Sequence, residues 1–187
     1  MNRIIQITGL PRSGTAFMAA FSMLYPWANV FHENIADGGD WRGRLKDSVR
    51  DYPLTVDCGT YQYFPGAVYP GSEKIWIGRN SYDSAEAAAK AAGRPFTDSD
   101  VKASGFLLAT WHKWRSQYAY SRFEFANLFN EDSLRLVWNT LDPDRNWAFP
   151  ERNVRQLIRM RIVRKDVEKF SMENVEKNAN ELFQPWD

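Results

Sequence analysis

The chain has 187 residues, 44% of them hydrophobic and 15% aromatic, which is enough for one domain with a sizeable core and excludes a disordered composition. With 24 basic against 23 acidic residues the formal net charge is +1, so bulk charge gives no pointer to a nucleic-acid partner. Cys58 is the only cysteine, which excludes an intramolecular disulfide and fits a reducing compartment.

No stretch approaches the roughly 20 apolar residues that cross a bilayer, and Pro11, Arg12 and Gly14 interrupt the N-terminal apolar run. The expectation is a soluble, intracellular chain without a signal peptide, folded as one domain over residues 1–187. In chain order, Ile4-Ile5-Gln6-Ile7-Thr8 is a β-branched run that reads as a buried strand ending at Gly9. Thr15 to Tyr25 is apolar on nearly all sides and reads as a buried helix ended by Pro26. Ala28 to Phe31 is a second strand, His32 to Asp40 a polar loop, and Trp41 to Tyr52 a helix. Leu54-Thr55-Val56-Asp57 is a third strand, followed by an aromatic loop or short helix from Cys58 to Gly71. Lys74-Ile75-Trp76-Ile77 is a fourth strand running into Gly78-Arg79.

Asp83 to Ala92 is Ala-rich and stops at Gly93, as a helix does. Thr97-Asp98-Ser99-Asp100 opens a longer helix in the manner of a capping box, with an apolar stripe of Leu107, Trp111, Trp114 and Tyr118 that reads as core or as a homodimer contact. Leu134-Arg135-Leu136-Val137-Trp138 reads as a fifth strand, Glu151 to Ile162 as a last helix after Pro150, and about 171–187 as a polar arm. Strands alternating with helices predict an α/β domain with a mainly parallel sheet of roughly five strands. Ligands of such sheets sit at the carboxyl ends of the strands, which is where Arg12, His32, Glu33, Asp57 and Arg79 fall.

Gly9-Leu10-Pro11-Arg12-Ser13-Gly14-Thr15 joins the first strand to the first helix, so it can aim several backbone N–H groups and a helix dipole at one anion. Gly9 and Gly14 are spaced as in a P-loop, yet Thr15 stands where its Lys would be and the basic residue is Arg12. The loop resembles the 5′-phosphosulfate loop of sulfotransferases, and the similarity extends to the His32-Glu33 pair and a Leu141-Asp142 element of short bacterial and phage members. It is sharp through Glu33 and looser beyond. The resemblance implies a three-layer, P-loop-NTPase-like fold and a cytoplasmic transferase of a bacterium or phage-infected cell. It also implies 3′-phosphoadenosine 5′-phosphosulfate (PAPS) as donor, a small hydroxyl or amine acceptor, and no metal, nucleic acid or membrane.

On that resemblance Gly9, Pro11, Arg12, Ser13, Gly14 and Thr15 hold the 5′-phosphosulfate. His32 or Glu33 takes the acceptor proton, and Arg79 with Ser81 or Ser84 holds the 3′-phosphate. The family's spacing would put that Ser at position 87, which is Ala87. Asp57 reads as structural or substrate-contacting and Cys58 as a buried small residue. Arg152, Arg155 and Arg159, with Arg161 and Arg164 beyond, share one helical face that is either solvated or closes over a nucleotide. Tyr61, Tyr63 and Phe64 read as core or as a stacking surface, and His112 carries no role. Loops over 34–52, 58–72 and 119–133 are expected to build the acceptor pocket. Two alternatives stay open: a nucleotide or nucleoside kinase using ATP and Mg²⁺, and a non-catalytic nucleotide binder.

Overall fold

The apolar patterning of this chain needs partners on two sides of every central strand, and the fold supplies them. The computed structural model describes residues 2–35, 39–61 and 64–160. The elements are Arg3–Gly9 (β1), Thr15–Ser22 (α1), Ala28–His32 (β2), Trp41–Asp51 (α2), Leu54–Gly59 (β3), Glu73–Gly78 (β4), Ser81–Ala91 (α3), Asp98–Trp114 (α4), Ser121–Glu124 (β5), Glu131–Leu141 (α5) and Glu151–Met160 (α6). The five strands form one sheet in the order β2-β3-β1-β4-β5, and every neighbouring pair is parallel. The expected α/β class with a five-stranded parallel sheet between helices is the fold observed.

Successive residues of a strand face opposite sides. Ile5, Ile7, Val56, Cys58, Ile75 and Ile77 therefore pack on one face against α1, α5 and α6. Ile4 and Trp76 pack on the other against Trp41 and Leu45 of α2 and Leu107 and Trp111 of α4. Trp76 and Trp111 stack face to face, with ring centroids 4.3 Å apart and planes 4° from parallel. Such a pair contributes about 0.5–1.5 kcal/mol beyond its buried area. Tyr61 and Phe64 are buried in this second core, which settles them as packing residues.

The largest departure from the sequence reading is at residues 134–138. The alternation of Leu134, Leu136 and Trp138 suits a strand, but the segment forms α5. Leu134, Val137, Trp138 and Leu141 recur at helical spacing, and the helix buries all four while Leu136 is left 69% exposed. The start is specified as well: the Asn130 side chain accepts the Ser133 N–H at 3.0 Å, and Glu131 and Asp132 lie in the first turn, where the dipole favours acids. The fifth strand is instead the short Ser121–Glu124, inside a stretch expected as loop.

Leu141-Asp142 consequently closes a helix, with Leu141 as the last residue of α5 and Asp142 directly after it. The Asp142 carboxylate accepts the Trp147 N–H at 2.7 Å, and Arg3, at the start of β1, donates to the carbonyls of Thr140 and Leu141. The element lies at the amino end of the sheet and belongs to the fold rather than to a strand-end site.

Capping residues also fix the starts of α3 and α4. Asn80 caps α3 by accepting the Tyr82 N–H at 2.8 Å, so this helix begins at Ser81. At α4 the Asp100 carboxylate accepts from the N–H and the hydroxyl of Thr97, at 2.9 and 2.8 Å, as the capping-box reading expects. Tyr63, Arg161, Arg164, the arm at 171–187 and the side chain of Trp114 lie outside the described residues. No described helix is long and apolar enough to cross a membrane.

The two registers for residues 134–138 predict different mutational costs. Leu134→Ala is expected to cost about 2–5 kcal/mol in urea unfolding, and Leu136→Ala less than about 0.5 kcal/mol. Equal losses at both positions would contradict the helix.

Candidate functional site

Between β1 and α1 the chain must reverse within five residues. The Ser13 N–H donates to the Leu10 carbonyl at 3.0 Å, and Arg12 and Gly14 take positive φ values of 62° and 95°. A Cβ on Gly9 would fall on the Ser13 hydroxyl and within 2.8 Å of the Ile77 carbonyl, while one on Gly14 would fall on Leu128. Gly9 is therefore dictated by the close approach of the Ile77 backbone, and Gly14 by its left-handed conformation. Helix α1 opens with no side-chain cap and no acid in its first turn. Its leading amides and the positive end of its dipole are left for an acceptor from outside. The Ser13 hydroxyl is buried and has no hydrogen-bond partner.

Two loop carbonyls are held from the β4 side. The Arg79 guanidinium donates to the Arg12 carbonyl and the Ser84 hydroxyl to the Pro11 carbonyl. Arg79 also lies over the Phe125 ring, 4.1 Å from its centroid, a contact of the cation–π class. Burial lowers the pKa of Arg12, and no carboxylate opposes the shift. Burial likewise lowers that of Arg79, with Asp83 acting against the shift and the charge of Arg12 adding to it. Both groups stay protonated at neutral pH, so two partly desolvated cations flank the loop, and their mutual repulsion falls when an anion enters.

On the other side of the loop, β2 delivers His32 as its last residue and Glu33 directly after it. The Thr15 hydroxyl lies 3.4 Å from His32 Nε2 and 3.5 Å from Glu33 Oε1, and these two atoms are 3.9 Å apart. Glu33 is 8% exposed and fixed by Thr60, whose N–H reaches Oε2 at 3.1 Å and whose hydroxyl reaches Oε1 at 3.2 Å. Its backbone sits at φ 53°, and its N–H donates to the Cys58 carbonyl at 2.8 Å. Arg12 and Glu33 are two of the three non-glycine residues with positive φ among those described. Strain of this kind costs about 1–3 kcal/mol and collects where a site needs a side chain re-aimed.

Beside Arg79 opens a cavity of about 770 Å³. Trp76, Trp111 and Phe125 supply its aromatic lining, Arg79, Lys90 and Arg122 its cations, and Asp83, Glu86 and Glu124 its acids. His112 lines it too, a placement the sequence gives no sign of. Ser81 is half-buried in the first turn of α3 next to Arg79. Ser84, by contrast, is wholly buried behind the loop.

Asp57 is not a strand-end residue, because β3 continues to Gly59. It is fully buried and accepts from Gln6 Nε2 at 3.1 Å. Gln6 also donates to the Ala67 carbonyl at 2.9 Å and accepts from the Tyr69 N–H and the Ser72 hydroxyl, at 2.8 and 3.0 Å. The pair thus pins the segment between β3 and β4, the structural one of the two roles open to Asp57 in the sequence. Burial, then the charges of Asp57 and Glu33, push the Cys58 thiol up, so it is an inert packing group. Arg155 is paired with Glu131 at 2.8 Å, and Arg152, Arg155 and Arg159 line a separate hollow of about 480 Å³ on α6.

Sequence reasoning missed Thr60, Phe125 and Leu128. The strand-end rule would have found Thr60 had β3 been extended to Gly59. Phe125 and Leu128 lie in a stretch read as loop and carry no local signal of contact with Arg79 or Gly14.

No protein-family model and no curated protein matches the sequence. Solved structures do. The mouse sulfotransferase SULT7A1, complexed with PAP, is similar at a TM-score of 0.59 and 13% identity over 96% of this chain and 82% of that one. A shikimate kinase from Bacteroides thetaiotaomicron is similar at 0.51 and 12% identity over 78% of this chain and 99% of that one. The fold is therefore that of P-loop kinases and sulfotransferases.

Because Gly9 has no room for a methyl group, Gly9→Ala is expected to lower stability by about 1–3 kcal/mol, read from the urea midpoint. An unchanged midpoint would show that the loop does not approach β4 as described.

Proposed function

We propose that the chain is a transferase that moves a sulfuryl group from PAPS to a hydroxyl or amine of a small acceptor. The observation that carries this reading is the pairing of an open helix terminus with two half-buried arginines, Arg12 and Arg79, at a loop that has Thr15 at the position of the P-loop lysine. The unpartnered Ser13 hydroxyl and the bare Gly9 fit a phosphosulfate seated against the loop backbone. The PAP carried by the similar mouse sulfotransferase supports the choice of nucleotide.

When bound, PAPS supplies an activated sulfuryl group whose bond to the 5′-phosphate oxygen breaks as the acceptor atom bonds to sulfur. The loop amides, Arg12, Ser13 and Thr15 hold the 5′ end and stabilise the charge that grows on the departing phosphate oxygen. Fixed donors of this type are usually the largest catalytic contribution. Arg79, which lines the cavity beside α3, holds the 3′-phosphate there, and Ser81 in the first turn of α3 is the hydroxyl nearest to it in sequence. His32 Nε2 accepts the proton of the acceptor, and Glu33, kept in place by Thr60, stabilises the imidazolium that results.

Arg12→Ala is expected to abolish PAP binding in calorimetry while leaving the melting temperature near that of the parent chain. Retained affinity would sink the reading, and a parent chain that binds ATP·Mg²⁺ but not PAP would make the chain a phosphotransferase instead. His32→Ala is expected to cut turnover by roughly 10²–10⁴ with PAP affinity held. A protein that binds PAP without turning over any acceptor would be a non-catalytic binder.

A further inference from the structure

We propose that Ser84 is a positioning residue for the anion loop and does not touch the bound nucleotide. A hydroxyl has one proton to give. That of Ser84 goes to the Pro11 carbonyl, and the residue is wholly buried. Only lone pairs remain on its oxygen, and lone pairs repel a phosphate. Arg79 differs: one of its N–H groups serves the Arg12 carbonyl, and the rest of the five-donor fork is left to reach a ligand in the adjoining cavity.

The consequence for the loop follows from peptide planarity. In a trans peptide the C=O and the next N–H point in opposite directions. Holding the Pro11 carbonyl on the α3 side therefore turns the Arg12 N–H to the opposite side, away from α3. Without the Ser84 proton that buried carbonyl has no partner, and the peptide gains a reason to rotate. Asn80 closes the amino end of α3 and so fixes the helix that carries Ser84, whose own N–H donates to the Asn80 carbonyl at 3.0 Å.

The test compares three anions by calorimetry: PAP, 5′-AMP, which lacks the 3′-phosphate, and inorganic pyrophosphate. The two nucleotide arms rest on the PAPS reading above, whereas the pyrophosphate arm does not. Ser84→Ala is expected to weaken all three by the same factor, about five- to tenfold, leaving the ratio of PAP to 5′-AMP affinity unchanged. Arg79→Ala is expected to lower that ratio. Loss confined to PAP would make Ser84 a 3′-phosphate ligand and overturn the proposal, as would no loss with any anion. If the parent chain binds pyrophosphate but neither nucleotide, the PAPS reading fails and the pyrophosphate arm alone decides Ser84. Should Ser84→Ala fail to fold, Ser84→Cys, which keeps the volume and weakens the donor, goes through the same comparison with the same two overturning results.

Discussion

An anion loop works only if its amides face inward, and every amide turned in sends a carbonyl out. Those carbonyls are then buried against the rest of the protein and need partners, each at a cost of about 1–3 kcal/mol if left without. Here the Arg12 and Pro11 carbonyls are met by Arg79 and Ser84. Gly9 lets the backbone close onto the Ile77 carbonyl, and Gly14 supplies the left-handed turn into α1. The site thus depends on residues well separated in sequence from the loop that binds.

The strand order makes those contacts possible. With β1 at the centre, β4 lies on one side and β3 then β2 on the other. The connection from β1 leaves toward β2 and that from β4 leaves toward β5, so a crevice opens at the carboxyl ends between β1 and β4. Arg79 and the cavity come from the β4 side, and His32 and Glu33 from the β2 side. The loop therefore has a roomy, aromatic-lined pocket on one flank and the His32–Glu33 pair on the other.

Fixing the groups around the loop costs local strain and is supported by buried polar networks. Glu33 takes a positive φ and its carboxylate meets both donors of Thr60, and Arg12 takes another within the loop itself. Gln6 satisfies both of its amide groups with Asp57 and the segment from Ala67 to Ser72. A fully paired network of this kind rigidifies the core it sits in.

The loop Gly9–Thr15, the four strands Arg3–Gly9, Ala28–His32, Leu54–Gly59 and Glu73–Gly78, and the capping of α4 were all legible in the sequence. Each is set by local rules: β-branched runs, glycine spacing, and a side chain that reaches its own backbone. Residues 134–138 were misread because a short apolar run satisfies period two and period 3.6 equally well, and only burial against α1 and α6 chose the helix. Arg79 was visible as a strand-end cation, yet its bond to the Arg12 carbonyl was not. The chemistry of Ser84 was hidden for the same reason, since which partner takes a hydroxyl proton is decided by packing between distant segments. The sequence by itself determined the strand, glycine loop and helix junction at Gly9–Thr15, because those rules are local; only the tertiary structure decided which distant side chains hold that loop in shape, because packing brings them together.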